Sequence, residues 1–281
     1  MVRLFVFELI SLVIGAIAVA QAESRRADRP PPRLARREGF QVVELRRYTT
    51  REGEREHFAR CFESFFPEAI QQLGALVFGQ FLERASPVGF TWLRGFQDIE
   101  ARAIVNSALY YGPLWKEHRS TMNDRLADSD NVLLLRPLTP ERGIIVLPAV
   151  DPVSEAQGAR GVVVAQIFAV GKRYAAALAQ RAEAAFTAYR SAGVREVGLL
   201  ETLDVPNNFP QLPVRTDGPF LVWLGVLKDD QVLSGRFRAL AEETSRSLAA
   251  TGWLRGAPEL IVLDPTSRSR LRWLPEWDVA P

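Results

Sequence analysis

Cysteine is nearly absent from this chain of 281 residues: Cys61 is the only one, so no disulfide can form within the chain, and a small buried hydrophobe on a helix is its simplest role. Histidine is scarce too. His57 and His118 stand far apart, so no zinc-binding spacing exists and no metal is expected. Lysine is limited to Lys116, Lys172 and Lys228 among 35 Lys+Arg, an arginine excess read as codon usage in a GC-rich genome. Beyond residue 40 the arginines are scattered among Asp and Glu, with no basic stripe interleaved with aromatics, so nucleic acid is excluded as a partner. No G-x-S-x-G elbow occurs. The run GARGVVVAQ lacks the strand-glycine-helix context of a phosphate loop, so no cofactor is expected.

Long apolar runs are also missing. The stretch from Leu9 to Ala20 is too short to anchor in a bilayer, which needs roughly 20 apolar residues, and Glu8 interrupts its approach. With Arg3 before it and Ala20-Gln21-Ala22 after it, the segment reads as a signal peptide over residues 1–22. Export to the periplasm or medium follows, with no stable membrane insertion after cleavage; an N-terminal anchor is the alternative. Residues 23–39, ESRRADRPPPRLARREG, form a Pro- and Arg-rich linker.

What remains is rich in core material, with 47% hydrophobic residues and a net charge of +2. Residues 40–138 alternate as β-α-β-β-α-β: a strand from Phe40, a helix with Phe58, Cys61, Phe62 and Phe65 on its apolar side, strands from Ala75 and Gly89, helical turns broken at Gly112-Pro113, and a strand from Asn131. Residues 139–161 form a second linker. Residues 162–275 repeat the order, and short echoes support a tandem repeat: GFTWLRGFQD beside PFLVWLGVLKD, and NVLLLRP beside ELIVLDP. The fold class is α+β, two tandem ferredoxin-like units.

Three motifs in the first unit, VVELRRYTTREGEREHF, FTWLRGFQD, and YYGPLWKEHRSTMND followed by SDNVLLLRP, resemble the NIPSNAP family of the dimeric α/β-barrel superfamily. The resemblance covers residues 40–138; the second unit agrees in topology alone. It implies sheets packed face to face into a barrel, here an intramolecular pseudo-dimer, so the chain is a monomer with a pseudo-dimer fold or a homodimer. Members of the family have no settled biochemical activity. Superfamily relatives include cofactor-independent monooxygenases and haem-binding or haem-degrading proteins, and a haem would need an axial ligand, for which His118 is the available side chain.

Residues two apart on a strand share a face, so Glu44, Arg46 and Tyr48 point together, with Trp92 and Arg94 beside them. Val43 and Leu45 are expected to face the helices, leaving the polar set in the barrel interior as either a structural Glu-Arg pair or a ligand site. On the helix after Pro113, Trp115, His118, Arg119 and Met122 form one stripe, in which His118 is a candidate base and Arg119 an anion holder; packing between helix and strand is the simpler role. Ser129, Asp130 and Asn131 read as a turn. In the second unit Gln166, Phe168 and Val170 stand for Glu44, Arg46 and Tyr48, and Val222 and Leu224 for Trp92 and Arg94, so any ligand site belongs to the first unit. The leading reading is a non-catalytic module binding a small organic ligand or a partner. The alternatives are a cofactor-independent monooxygenase acting on a phenol or quinol, with Tyr48 or His118 catalytic, and a structural interaction module with a filled barrel. N-terminal sequencing of the protein recovered from an exporting host is expected to start at Glu23; a chain that retains residue 1 would refute cleavage.

Overall fold

A computed structural model describes residues 39–279, and the signal-like run and most of the linker that follows it lie outside the described residues. The first half contributes β1 (Val42–Thr50), α1 (Arg55–Gln72), β2 (Leu76–Glu83), β3 (Gly89–Phe96), α2 (Ile99–Tyr110), α3 (Pro113–Asn123) and β4 (Leu126–Pro137). The second contributes β5 (Val162–Ala169), α4 (Ala175–Ser191), β6 (Arg195–Thr202), β7 (Phe220–Leu227), α5 (Arg238–Ala249) and β8 (Glu259–Pro265), with irregular helical turns from Asp230 to Phe237 before α5. All strand pairs are antiparallel, and the order β1-β3-β2-β8-β5-β7-β6-β4 closes on itself as an eight-stranded barrel. Each half is a four-stranded ferredoxin-like sheet, and the seams are β2 with β8 and β4 with β6.

The helices follow from local chemistry. On α1, Phe58, Phe62, Phe66 and Ile70 recur at intervals of four and are buried in one stripe. Phe65, expected on that side, instead lies exposed on the flank. Pro67 sits inside α1 and cannot donate to the carbonyl of Glu63; that oxygen is satisfied by Arg268 Nη1 at 2.6 Å. Asp98 caps α2 by accepting from the Ala101 amide at 2.7 Å, and its echo Asp229 accepts from the amides of Gln231 and Val232. Gly112 separates α2 from α3. A Cβ there would lie 2.3 Å from the Ala108 carbonyl oxygen, so the close approach needs glycine, and Pro113 then starts α3. Ser129, Asp130 and Asn131 are not a turn: β4 begins at Leu126, and the reversal lies at Asp124 and Arg125.

The barrel is solid. Val43, Leu45, Leu93, Leu133 and Leu135 from one sheet meet Val163, Ala165, Val222, Leu224 and Leu263 from the other, all essentially without exposure. Residues 139–161 enter this core, with Ile144 and Leu147 buried against it, and the tail adds Leu271, Trp273 and Leu274. A doubly bonded ion pair between Arg272 and Glu155, at 2.6 Å for both contacts, fastens that segment to the tail. Among the described residues no helix is long and apolar enough to cross a membrane.

Because both sheets share one apolar interior, the two halves are expected to unfold together. Denaturant titration followed by tryptophan fluorescence and by far-UV circular dichroism should give one coincident transition, and Leu224→Ala should destabilise it by about 2–5 kcal/mol. Two separated transitions would contradict the shared core.

Candidate functional site

Strand alternation on β1 holds as expected, but the assignment of its two faces is reversed. Val43 and Leu45 fill the barrel, whereas Val42, Glu44, Arg46 and Tyr48 lie under the helices of the first half. The inner residues of the closed barrel meet the other strands and the apolar side chains of residues 139–161 and of the tail, so aliphatic side chains belong there. The polar set needs partners, and helix α2 supplies one.

The register of β1 against β3 sets Glu44 opposite Arg94, Arg46 opposite Trp92 and Tyr48 opposite Phe90. Glu44 is fully buried and accepts from three guanidiniums: Arg46 Nη1 at 2.8 Å and Arg94 Nε at 2.7 Å on Oε2, and Arg102 Nε at 2.6 Å on Oε1. Burial alone would raise the Glu44 pKa; Arg94, Arg46 and Arg102 outweigh it and hold the carboxyl far below the usual carboxylate range. For Arg102 burial dominates and lowers its pKa, with the neighbouring Arg94 and Arg46 adding to the shift against the pull of Glu44. Arg46 Nε also donates to the Tyr48 hydroxyl oxygen at 2.7 Å, and burial raises the Tyr48 phenol above its ordinary value despite that contact.

Above this cluster a cavity of about 470 Å3 opens between sheet and helices. Arg46, Tyr48 and Trp92 form its sheet side, Phe58, Phe62, Phe66 and Ile70 of α1 one wall, and Tyr110, Trp115 and Met122 another. The cover comes from the second half, whose long β6–β7 connection brings in Phe209, Gln211, Leu212 and Pro213. Two contacts of Arg102 Nη1 hold that connection in place, to Asn207 Oδ1 at 3.0 Å and Asn208 Oδ1 at 2.8 Å, and Asn208 Nδ2 donates to the Ile99 carbonyl.

Four of the residues expected at a site, Arg46, Tyr48, Trp92 and Trp115, therefore line one cavity. Glu44 and Arg94 are buried beside it, joined to Arg46 through the carboxylate. His118 and Arg119 do not line it: the His118 ring stacks on exposed Phe65 at 3.9 Å between centroids, and Arg119 is exposed. Trp115 and Met122 are the cavity-facing members of that helical stripe. Sequence reasoning missed Arg102, Asn207, Asn208 and Phe209. Arg102 was legible in principle, because Arg102, Val105, Asn106 and Leu109 follow a helical period and share the buried side of α2. The asparagines, which reach the site from the other repeat, carry no such signal.

The second half places the same geometry under different chemistry. Matching bulges, at Val77/Gly79 in β2 and Glu196/Gly198 in β6, align the halves so that Trp223, opposite Gln166, corresponds to Trp92 opposite Arg46. The counterparts of Glu44, Arg46, Tyr48 and Arg94 are then Val164, Gln166, Phe168 and Gly225, a correction of the sequence echo for the β7 strand and for the three β1 positions. Gln166 is satisfied by Tyr189, Ala241 and Ser245, and burial pushes the Tyr189 phenol up to about 12. Rings of Phe186, Tyr189, Trp223 and Phe237 pack together there.

No family model matches this chain, and no curated protein matches it. Solved structures do. A Lactobacillus acidophilus NCFM protein provisionally designated a monooxygenase shares 14% identity over 82% of this chain and 97% of its own, with a TM-score of 0.51. An anthrone oxidase-like protein shares 12% identity over 84% and 96%, with a TM-score of 0.54. These likenesses show the fold: the chain is a dimeric α/β-barrel whose two units lie in one polypeptide. An uncharacterized NIPSNAP domain protein from Burkholderia xenovorans is similar over 95% of its own length and 35% of this chain, at 19% identity and a TM-score of 0.32.

Replacing Glu44 by Gln leaves three buried guanidiniums without their carboxylate and is expected to cost about 3–5 kcal/mol in denaturant unfolding. Because the folded pKa is depressed, the carboxylate's contribution is fully present above the unfolded value of about 4.3 and is lost as pH falls toward the folded value. The gap between wild type and Glu44→Gln should therefore stay level from pH 7 to about 5 and shrink below about 4. A gap that closes near neutrality would contradict the depressed pKa.

Proposed function

We propose that the cavity of the first half binds a small, largely aromatic organic molecule, and that the chain is an exported binding module. The cavity carries this reading: its volume of about 470 Å3 lies in the range of small-ligand sites, its walls are apolar and rich in aromatic rings, and a few polar groups converge at one end. Binding without turnover is supported by the chemistry of that end. The Tyr48 phenol is raised by burial, and Arg46 lies above its ordinary value because Tyr48 and Glu44 outweigh the effect of burial, so neither group takes a proton near neutral pH. The carboxylate among the lining residues is Asp130, exposed at the rim. A general base must come within hydrogen-bond reach of the proton it removes, and His118 does not line the cavity.

One observation favours an enzyme as the second reading. Arg46 and the Tyr48 hydroxyl together form a preorganised donor pair of the kind that stabilises a developing oxyanion, as the oxygenation of a phenol or quinol would require. The names of the two neighbours of similar fold agree with that chemistry for those proteins. Oxygen uptake distinguishes the readings. Purified protein incubated with quinols and phenols should consume oxygen no faster than a protein-free control, while binding is seen as a change in Trp92 and Trp115 fluorescence. Sustained uptake that falls in Tyr48→Phe and persists in His118→Ala would replace the binding reading with catalysis and remove His118 from it.

A further inference from the structure

The charges beside the cavity do not balance. Arg46, Arg94 and Arg102 converge on the single carboxylate of Glu44, and both carboxylate oxygens are occupied. Their other partners are neutral: the Tyr48 hydroxyl, the side-chain oxygens of Asn207 and Asn208, and the rings of Trp92 and Phe96, each 5.1 Å from the Arg94 guanidinium carbon. Two positive charges are thus held in the interior without a buried counter-charge, an arrangement that is costly unless something pairs them. Donors are in excess in the same way. Arg94 Nη1 and Nη2, Arg102 Nη2 and Trp92 Nε1 are buried with no hydrogen-bond partner in the protein.

The excess charge meets the cavity at Arg46. That residue is 1% exposed, spends Nε on Tyr48 and Nη1 on Glu44, and has Nη2 left for the space it lines. The Tyr48 oxygen accepts from Arg46, so its own proton remains to be donated. The Arg46 guanidinium carbon lies 5.4 Å from the Tyr48 ring centre and 5.7 Å from that of Trp92, so the three groups form one corner of the cavity. A barrel of this kind does not need them in order to fold: the second half carries Val164, Gln166, Phe168 and Gly225 at the corresponding positions, all under a packed helix layer.

Resting on the binding reading above, we propose that the ligand is an aromatic carboxylate, its carboxylate on Arg46 and Tyr48 and its ring against Trp92 and the phenylalanines of α1. A carboxylate brings two acceptor oxygens and a full negative charge at neutral pH. A phenol, with a pKa of about 10, brings one oxygen and no charge.

Isothermal titration of the mature protein with 2-naphthoate, neutral 2-naphthamide and 2-naphthol tests this. Naphthoate is expected to bind about ten-fold or more tightly than either neutral probe, the size of one hydrogen bond to a charged group. Arg46→Gln should abolish that preference while retaining naphthamide binding, and Tyr48→Phe, which removes only a hydroxyl, should reduce it several-fold. If Arg46→Gln does not fold by circular dichroism, Tyr48→Phe decides alone. Equal affinity for naphthoate and naphthamide, or a preference for naphthol, would overturn the carboxylate proposal and leave the aromatic cavity as a binding site. Binding of none of the three would overturn both.

Discussion

Closing eight strands into a barrel turns the inner face of every strand into a shared core, and in this chain that core is taken up by aliphatic and aromatic side chains from both halves, from residues 139–161 and from the tail. A strand has only two faces, so the polar residues of β1 and β3 are left on the outer one, where a helix layer covers them. Burial there is as complete as in the barrel, with Glu44, Arg46 and Arg94 at 1% exposure or less. The position of the site and its dependence on ion pairing both follow from this division, because charges under a helix layer must be neutralised by groups that the layer or the neighbouring strands bring.

The two halves solve the same packing problem differently. In the second half the sheet-helix interface is closed by rings and one satisfied glutamine, and the charge that meets the rings, Glu196 on Trp223 Nε1, stays partly exposed at its edge. In the first half three arginines and a glutamate occupy the corresponding layer and a cavity remains above them. The second half still takes part, since its β6–β7 connection roofs the cavity and is held by Arg102. In this arrangement one copy supplies the buried charges and the other supplies cover, which a covalent pseudo-dimer permits because its halves can differ in sequence.

Much of the architecture was legible from local pattern. Period-two alternation located the strands, Phe58, Cys61, Phe62 and Phe65 at spacings of three and four located α1, and Gly112-Pro113 marked the break between α2 and α3. The grouping of Glu44, Arg46, Tyr48, Trp92 and Arg94 was legible too, because alternation and hairpin register are local properties. His118 misled, since spacing of three and four places it beside Trp115 and Met122 without saying which edge of the stripe meets the sheet; α1 takes that edge through Phe65. The echo between the halves was off by one position on β7 and by two on β1, because short matched strings do not fix a register, whereas the pairing of Arg46 with Trp92 and of Gln166 with Trp223 does.

The sequence by itself determined the order of elements, the tandem repeat and which side chains travel together, because each depends on residues within a few positions of one another. Tertiary structure alone decided which face of β1 enters the barrel, that Arg102 completes the charge cluster, and that Asn207 and Asn208 reach it from more than 100 residues away. Alternation is symmetric between the two faces of a sheet. Only closure of the barrel, which gives one face to strands and the other to helices, breaks that symmetry.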